Sequence, residues 1–268
     1  MSYASESDIP LIINIPDFWD RLDEARKRFL ALDYDGTLAP FRIERMEAAP
    51  LEGIPELLKQ IQARDDTTLA IISGRSLFEL TGLVGNIGVT MVGSHGFELR
   101  GPDGDIVVKK ISPEQEVGLV EARAIGIEAG LEKRLETKTA SIALHTRGLS
   151  PGEASRMEDE MHGTWGDLAE KYSLEVKRFN GGVELRAMGW NKGDALESLL
   201  LDLKEETLCV YIGDDETDED AFERIQPYGF GIRVGDPFQP SKANGFLPDI
   251  ESVKRFLVAW RDMPSPTS

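Results

Sequence analysis

Two aspartates separated by one residue, Asp33 and Asp35, are the strongest chemical signal in the sequence. They follow an apolar run, and Gly36 comes next, where it permits a tight turn. Side chains at positions i and i+2 leave an extended chain on the same side, so both carboxylates can reach one cation and one substrate group. A carboxylate can attack phosphorus to give an acyl phosphate, which divides one difficult displacement into two. Taken alone, the motif is equally typical of an Asx-rich turn that closes a strand.

A second acidic cluster, which includes Asp214, Asp215 and Asp218, follows another apolar run. Acids at the end of a buried strand are unfavourable unless a cation or hydrogen bonds compensate their charge. Complementing a helix dipole accounts for Asp218 well but for Asp214 less well. We therefore expect Asp214 to bind a metal ion, with Asp215 or Asp218 in support through water or hydrogen bonds. Carboxylates beside a phosphate need a hard divalent cation, and Mg²⁺ suits oxygen ligands and phosphoryl transfer.

Two further positions could hold a phosphate. Ser73-Gly74-Arg75 follows a third apolar run, and a hydroxyl with free backbone N–H groups at a strand-to-helix turn can bind an anion. As a tripeptide it is more often an ordinary turn. Lys192 precedes a helical pattern, where a lone lysine is usually a solvated surface charge. Its functional interpretation is a fixed cation that holds phosphate and nucleophile together.

The elements that must position these residues are short buried strands. Residues 29–33, 69–73 and 208–213 form continuous apolar runs that end in polar residues, and helical patterns lie between them. Continuous apolar runs that alternate with helices are typical of an α/β fold with a parallel sheet covered on both faces. Ligands of such sheets bind beyond the carboxyl ends of the strands. We therefore expect three strands to deliver polar groups to one edge.

The middle of the chain has a different pattern. In residues 139–147, Ile142 and Leu144 lie on one face and small or polar residues on the other, as in an antiparallel strand with one covered face. Two long helical patterns accompany this strand, at residues 113–135 and 151–172.

These patterns predict an α/β fold with a Rossmann-like parallel-sheet core and an inserted α+β cap domain. The core is assigned to residues 1–98 and 187–268. The inserted domain is assigned to residues 99–186.

Charge and composition narrow the function classes. The formal net charge is −18, which repels nucleic acid and anionic membranes, while 41% hydrophobic residues suffice for a packed core. Cys209 is the single cysteine and lies in an apolar run, as a buried structural thiol in a reducing compartment would. The start of the chain has neither a basic region nor a long apolar stretch. We expect a soluble cytoplasmic protein with a small-molecule partner, a monomer rather than the alternative dimer.

The motifs resemble those of a known group of enzymes. Asp33-Tyr34-Asp35-Gly36-Thr37, Ser73, Lys192 and Gly213-Asp214-Asp215 are similar in order and spacing to the four motifs of the haloacid dehalogenase superfamily of phosphotransferases. Within that superfamily the chain resembles the trehalose-6-phosphate phosphatases over nearly its whole length. The specific matches are residues 93–98, residues 136–138 ahead of 145–147, and residues 213–222, of which the last is the longest.

The resemblance implies roles for the core residues. Asp33 would be the nucleophile, and Asp35 the general acid and later the general base, since the leaving sugar oxygen needs a proton and water must then be activated. Asp33, the backbone carbonyl of Asp35, and Asp214 would bind Mg²⁺. Ser73 and Lys192 would hold the phosphoryl oxygens.

The resemblance also implies that the inserted domain is a cap that determines substrate specificity, in which Glu136, Lys138 and Glu184 would bind hydroxyls of the distal sugar. Arg75 and Arg147 would add positive charge near the substrate. On the sequence alone, each of the three cap residues is more often a solvated charge. Residues 187–190 depart from the family, because a Pro-containing loop is expected before Lys192.

The implied reaction is Mg²⁺-dependent hydrolysis of trehalose 6-phosphate to trehalose and phosphate, the last step of trehalose biosynthesis. The nearest alternative is a phosphatase for sucrose phosphate, a mannosyl phosphoglycerate or a glucosylglycerol phosphate. A phosphomutase that uses the same intermediate is a further alternative. A protein of another class, a non-catalytic regulatory partner of a sugar-phosphate synthase, is expected to have lost Asp33, Asp35, Lys192 or Asp214, and all four are present.

Overall fold

The structure, a computed structural model, describes residues 12–203 and 206–265. The chain divides into two compact units. The first comprises the described residues up to Ile106 and those from Lys192 onward, and the second comprises Val107–Asn191. The expected fold class, an α/β parallel-sheet core with an inserted α+β domain, is confirmed. The start of the chain, on which the expected cytoplasmic location partly rests, falls in residues 1–11, which lie outside the described residues.

The described residues form twelve strands and eight α-helices. The strands are β1 Lys27–Leu32, β2 Thr67–Ile72, β3 Thr90–Gly93, β4 Glu98–Arg100, β5 Ile106–Val108, β6 Leu135–Thr137, β7 Ser141–His145, β8 Leu174–Phe179, β9 Gly182–Ala187, β10 Thr207–Gly213, β11 Gly229–Val234 and β12 Gly245–Leu247. The helices are α1 Phe18–Glu24, α2 Ile54–Gln62, α3 Leu77–Val84, α4 Pro113–Glu128, α5 Pro151–Tyr172, α6 Lys192–Leu201, α7 Glu219–Ile225 and α8 Ile250–Asp262. No α-helix within these ranges combines the length and the apolar character needed to cross a membrane.

An eight-stranded sheet organises the first unit, in the order β12-β11-β10-β1-β2-β3-β4-β5. Its last strand, β5, begins at Ile106 and continues into the residues of the second unit. The strands from β12 to β3 are parallel, and β4 is antiparallel to β3. Leu32 at the end of β1 pairs with Ile212 of β10 on one side and Ile71 of β2 on the other. The three strands predicted from their apolar runs are therefore adjacent, and their carboxyl ends lie at one edge of the sheet.

Helices cover this sheet because each presents an apolar stripe. Helix α2 buries Ile54, Leu57, Leu58 and Ile61, which recur at the spacing of one helical face. An aromatic group joins α1, α8 and β11, where the ring centroid of Phe18 lies 5.5 Å from that of Phe256 and 5.4 Å from that of Phe230. Full burial of such a ring contributes roughly 1.5–3 kcal/mol. This core fixes β1 and β10, which carry the acidic motifs.

The second unit has an antiparallel sheet in the order β6-β7-β9-β8, together with α4 and α5. Helix α5 matches the pattern predicted for residues 151–172, and its N-terminus has a capping box formed by Ser150 and Glu153. The helix predicted for residues 113–135 is wrong in its length, because α4 ends at Glu128. Gly130 follows with φ +74°, a left-handed conformation that ends helices.

The prediction of one covered face for residues 139–147 is wrong. Ser141 and Ala143 are buried in β7, as are Ile142 and Leu144. Part of the reason is local, because the Ser141 hydroxyl donates a hydrogen bond of 2.6 Å to the buried carboxylate of Glu184 on β9.

Candidate active site

Adjacent strand ends deliver the core motifs to one edge of the sheet. Asp33 follows β1, Asp214 follows β10, and Ser73 follows β2. The backbone N–H of Asp33 still donates to the Ile212 carbonyl at 2.8 Å, so the hydrogen bonding between β1 and β10 extends to Asp33. The sheet therefore fixes the backbone that carries this side chain, which is a rigid support for a functional group.

Lys192 is not a solvated surface charge, since only 2% of the residue is exposed. It is the first residue of α6, and its Nζ lies 2.7 Å from Asp33 Oδ1 and 2.7 Å from Asp218 Oδ1. Burial by itself lowers the pKa of Lys192, but the charges of Asp218 and Asp33 outweigh it, so the pKa lies above its usual value. The ammonium group stays charged and joins the two carboxylates.

Asp218 accepts four hydrogen bonds and is fully buried. Its Oδ1 accepts from Lys192 and from the Tyr211 hydroxyl. Its Oδ2 accepts from the backbone N–H groups of Asp214 and Asp215, at 3.2 and 3.1 Å. A carboxylate has about four lone-pair sites, so those of Asp218 are all in use. Asp218 therefore fixes both the lysine and the loop after β10.

Asp33, Asp214 and Asp218 together carry more negative charge than the single ammonium group of Lys192 neutralises. Burial raises the pKa of the Asp33 carboxyl to about 8, with Asp218 adding to the rise and Lys192 opposing it. Burial and the charges of Asp33 and Asp218 raise the pKa of Asp214 well above its ordinary value. A second positive charge at this position would stabilise both groups as carboxylates.

The arrangement fits a divalent cation. Oxygen atoms of Asp33, Asp214 and Asp218 lie within 4.8 Å of one another. Asp214 Oδ1 is buried and has no hydrogen-bond partner among the described residues, whereas the lone pairs of Asp218 are in use. Gly36 also leaves space here, because a Cβ at this position would lie 2.0 Å from Asp214 Oδ2. Asp33 and Asp214 are therefore the side chains with capacity for an ion, and oxygen donors are those that Mg²⁺ prefers.

The side chain of Asp35 forms an ion pair with Arg75. Arg75 Nε lies 2.6 Å from Asp35 Oδ2, and Arg75 Nη2 lies 2.7 Å from Asp35 Oδ1. Burial by itself lowers the pKa of Arg75, but the hydrogen bonds and the charge of Asp35 raise it above its usual value. The resemblance implies that Arg75 adds positive charge near the substrate. In the structure its guanidinium contacts Asp35, and its contact with substrate stays a prediction.

Ser73 is buried in a loop that a strained segment supports. Its hydroxyl accepts from the Arg75 N–H at 3.2 Å, and its carbonyl accepts from the His95 N–H at 3.0 Å. Ser94 and His95, after β3, both have left-handed backbones, with φ of 49° and 56°. Such conformations cost about 1–3 kcal/mol each and persist where the surroundings impose them.

Two supporting residues have contacts that the sequence did not predict, although Glu98 lies in the matched residues 93–98. Tyr211 donates to Asp218 from inside β10, and Glu98 on β4 accepts from the Ser94 hydroxyl and from the Leu77 N–H at the start of α3. Tyr211 lies in an apolar run, where its hydroxyl gave no signal. Asp215 was assigned to the same support as Asp218, but its Oδ1 accepts from the Glu216 N–H, as a cap of the short 3₁₀ turn before α7.

The predicted sugar-binding residues share one face of the sheet in the second unit. Glu136 on β6 and Glu184 on β9 both pair with Ala143 of β7, so their side chains leave the same face. Lys138 Nζ lies 2.8 Å from Glu184 Oε1 and 4.0 Å from Glu136 Oε2. His145 Nε2 lies 2.8 Å from Glu136 Oε2. The group is an ordered polar cluster, and Glu184 is only 3% exposed.

Arg147 is engaged in a turn of the second unit. Its Nη2 donates to the Asn180 carbonyl at 2.7 Å, and its side chain covers Gly181 between β8 and β9. Its predicted contact with substrate stays a prediction, as do the roles assigned to the other site residues.

A model of the family described as trehalose-phosphatase matches residues 31–249. The chain belongs to this family. The resemblance stated from the motifs is therefore confirmed, and with it the membership of a family of phosphatases.

Relatives in the trehalose-phosphatase family differ in length. Probable trehalose-phosphate phosphatase C of Arabidopsis thaliana is 31% identical over 260 residues, which cover 89% of this chain and 79% of that protein. The bifunctional trehalose-6-phosphate synthase/phosphatase of Thermoproteus tenax is 32% identical over 242 residues, which cover 89% of this chain. The chain spans about a third of that relative, since the match covers 32% of it.

A solved structure shares the fold. The C-terminal domain of Candida albicans trehalose-6-phosphate phosphatase superimposes with a TM-score of 0.85 at 22% identity, covering 95% of this chain and 99% of that domain. At this level of identity the likeness is one of fold.

Proposed function

We propose that the chain hydrolyses trehalose 6-phosphate to trehalose and phosphate through an aspartyl-phosphate intermediate on Asp33, as the last step of trehalose biosynthesis. The observation that carries the proposal is the buried Asp33 carboxylate, fixed by Lys192 at 2.7 Å beside the unpartnered oxygen of Asp214, in a member of the trehalose-phosphatase family. The names of the relatives support trehalose 6-phosphate as the substrate.

The first half of the reaction transfers the phosphoryl group. An oxygen of Asp33 attacks phosphorus, the bond between phosphorus and the sugar oxygen breaks, and the proton of Asp35 goes to that oxygen. Ser73 and Lys192 hold the phosphoryl oxygens. A bound Mg²⁺, held by Asp33, Asp214 and the backbone carbonyl of Asp35, would supply the positive charge that the transferring group requires.

The second half regenerates the enzyme. Asp35, now ionised, accepts a proton from water, and the water oxygen attacks the phosphorus of the acyl phosphate. The bond between phosphorus and Asp33 breaks, which releases inorganic phosphate and restores the carboxylate. Asp35 thus acts as acid and then as base, so its carboxyl group needs a fixed position in both halves.

The polar cluster of Glu136, Lys138 and Glu184 is proposed to bind hydroxyls of the distal sugar. Two carboxylates and an ammonium group offer acceptors and donors for vicinal hydroxyls. Their mutual contacts hold them in place before substrate arrives, which lowers the entropy lost on binding.

A cytoplasmic location is also proposed. The single cysteine, Cys209, is buried and free, which suits a reducing compartment.

The proposal is tested by phosphate release from a panel of sugar phosphates with Mg²⁺. The panel contains trehalose 6-phosphate, sucrose phosphate, a mannosyl phosphoglycerate and a glucosylglycerol phosphate. We expect the highest kcat/KM for trehalose 6-phosphate, and loss of release with chelator. Equal or higher kcat/KM for another member would contradict the substrate but leave the chemistry at Asp33. Isomerised sugar phosphate instead of free phosphate would indicate a mutase, and no Mg²⁺-dependent release from any member would favour the regulatory alternative.

The sugar assignment has its own control. Lys138→Ala should raise KM for trehalose 6-phosphate at least about tenfold and leave hydrolysis of a small aryl phosphate unchanged, because the latter has no distal sugar. Lys133→Ala, which removes an exposed lysine of the same unit, should change neither. An equal loss with both substrates would assign Lys138 to the fold or to the phosphate instead.

A further inference from the structure

An edge strand carries three consecutive exposed apolar side chains. Ile106, Val107 and Val108 of β5 are 62%, 57% and 51% exposed. Strand β5 is the last strand of the eight-stranded sheet, so among the described residues its outer edge has no neighbouring strand. An apolar strand at an open edge is a template for pairing with another chain. We propose that two copies of the chain pair antiparallel through β5, in a register centred on Val107.

The backbone supports this register. The Gly101 N–H donates to the Asp105 carbonyl at 2.9 Å, so the backbone groups of Asp105 face β4. Since hydrogen-bonding groups alternate along a strand, those of Val107 also face β4, and those of Ile106 and Val108 face the open edge. An antiparallel pairing centred on Val107 sets Ile106 opposite Val108 of the second copy. These are the two residues whose backbone groups are available.

The side chains are complementary on both faces of the paired strands. Ile106 lies beside Val108 of the second copy on one face, and on the other face Val107 lies beside its own equivalent. Cross-strand pairs of β-branched residues stabilise sheets, and all three residues have high strand propensity. The contact is symmetric, so it closes as a dimer and does not propagate.

Opposite charges flank the apolar residues in the order that self-pairing requires. Asp105 and Lys109 are both exposed, and the register centred on Val107 sets Asp105 opposite Lys109 of the second copy at each end. A shift of two residues keeps the hydrogen-bond pattern but sets Asp105 or Lys109 against Val107. Lys109 Nζ lies 3.4 Å from the centroid of the Trp190 ring, which limits its freedom. The charges therefore select both the register and a second copy as the occupant.

The predicted dimer is weak. Three residues per strand bury far less than the roughly 800 Å² per partner of a standard interface. The net charge of −18 also opposes association of two copies at long range. We therefore expect a dimer that forms at high protein concentration and is stabilised by salt, because salt screens the net repulsion more than the close pairs at the interface.

Sedimentation velocity over a concentration series tests the proposal. The wild-type chain should change from monomer to dimer between about 1 μM and about 1 mM. Asp105→Lys and Lys109→Asp should each weaken association at least about tenfold, because each sets like charges opposite one another. An equimolar mixture of these two variants should restore the dimer, since all four facing charges are then opposite in sign. The proposal is independent of the activity, and both variants should retain wild-type phosphate release, because neither residue belongs to the candidate site.

The equimolar mixture of the two variants tests the proposed register most directly. Variants that stay monomeric when mixed would overturn the register, and a wild-type dimer that neither substitution weakens would place the interface elsewhere. A wild-type chain that remains monomeric to about 1 mM would overturn the proposal and leave a different protein as the occupant of this edge.

Discussion

Arg75 donates hydrogen bonds to both carboxylate oxygens of Asp35, at 2.6 Å through Nε and 2.7 Å through Nη2. The guanidinium is itself fixed, because its Nη1 donates to the Arg45 carbonyl at 3.0 Å and only 3% of the residue is exposed. A bidentate pair sets both the position and the plane of the carboxylate. In the proposed reaction, Arg75 therefore acts as a positioning residue for the general acid and base.

Substitution of Arg75 should lower kcat more than it changes KM. Arg75→Lys keeps the positive charge but loses the bidentate contact with Asp35, so we expect kcat to fall about tenfold. Arg75→Gln loses both the charge and the bidentate contact, so we expect kcat to fall about hundredfold. Arg45→Gln is the control, since it removes a nearby arginine side chain but keeps the backbone carbonyl. A rise in KM at constant kcat would instead assign Arg75 to the substrate, as the sequence analysis did.

Gly36 should be required for the position of Asp214. A Cβ at Gly36 would lie 2.0 Å from Asp214 Oδ2, and the residue has φ +76°. Gly88 has a similar φ of +69° with no atom within 4 Å of the corresponding Cβ, so Gly88→Ala is a matched control for backbone strain. The left-handed backbone should cost each substitution about 1–2 kcal/mol of folding free energy, and the overlap with Asp214 should add to the cost of Gly36→Ala. Gly36→Ala alone should lower Mg²⁺-dependent kcat/KM, by about hundredfold.

Thermal unfolding and phosphate release, each with and without Mg²⁺, check this expectation. Equal activity of Gly36→Ala and Gly88→Ala would contradict the placement of Asp214 beside Gly36 in the active enzyme.

Asp218 and Asp215 should differ strongly although they are three residues apart. Asp218→Asn removes the charge that faces the buried Lys192 and gives one acceptor oxygen where two now accept four hydrogen bonds. We expect a loss of about 3 kcal/mol in folding free energy and at least about hundredfold in kcat. Asp215→Asn keeps a good cap for the turn and should change kcat by less than about threefold. Similar losses for the two variants would contradict the separate roles derived from their contacts.

Much of the site could be predicted from the sequence, because a continuous apolar run that stops at a polar residue indicates where a buried strand ends. The apolar runs before Asp33, Ser73 and Asp214 predict buried parallel strands, and topology alone then brings their ends to one edge. The position of Lys192 near Asp33 follows only from the motif order, since the two residues are 159 positions apart. No local pattern could have supplied that contact.

The contacts that the sequence did not predict depend on the direction in which individual side chains point. Arg75 lies three residues beyond the end of β2, where a long side chain can turn toward a ligand or toward a neighbouring carboxylate. Tyr211 is similar, since a tyrosine in an apolar strand gives no sign of where its hydroxyl points. The length of α4 was overestimated because the apolar pattern continues past Gly130, while the left-handed glycine ends the helix.

Asp66 should contribute stability that is lost in acid. It accepts from Arg28 at 3.1 Å and from Arg64 at 2.6 and 2.9 Å, and Arg28 is 1% exposed. Burial by itself raises the pKa of the Asp66 carboxyl, but the hydrogen bonds and the charge of Arg64 outweigh it, so the pKa lies below its usual value. A lowered folded-state pKa means that the contribution is fully present above the unfolded value of about 3.9 and declines as the pH falls below it.

Urea unfolding of Asp66→Asn across the pH range measures this contribution. The variant should be less stable than wild type by about 3 kcal/mol at pH 7, because Arg28 is left buried without its carboxylate. The difference should narrow below about pH 4, where Asp66 of the unfolded chain takes up a proton while the lowered pKa keeps the folded carboxylate ionised. Asp65→Asn, at an exposed neighbouring position, should show no difference at either pH. A deficit that stays constant down to about pH 2 would contradict the assignment to the charge of Asp66.

The central claim is that Asp33 carries the phosphoryl group, and trapping of the intermediate tests it most directly. Borohydride reduces an acyl phosphate to an alcohol, so an aspartyl phosphate at position 33 becomes homoserine, which peptide mass spectrometry detects. An aryl phosphate has a leaving group that needs no proton, so the intermediate should still form in Asp35→Asn. It should then hydrolyse slowly, because the base that activates water is absent. We predict homoserine at position 33 in the wild-type enzyme, more of it in Asp35→Asn, and none in Asp33→Asn. Reduction at another aspartate, or phosphate release that persists in Asp33→Asn, would contradict the account.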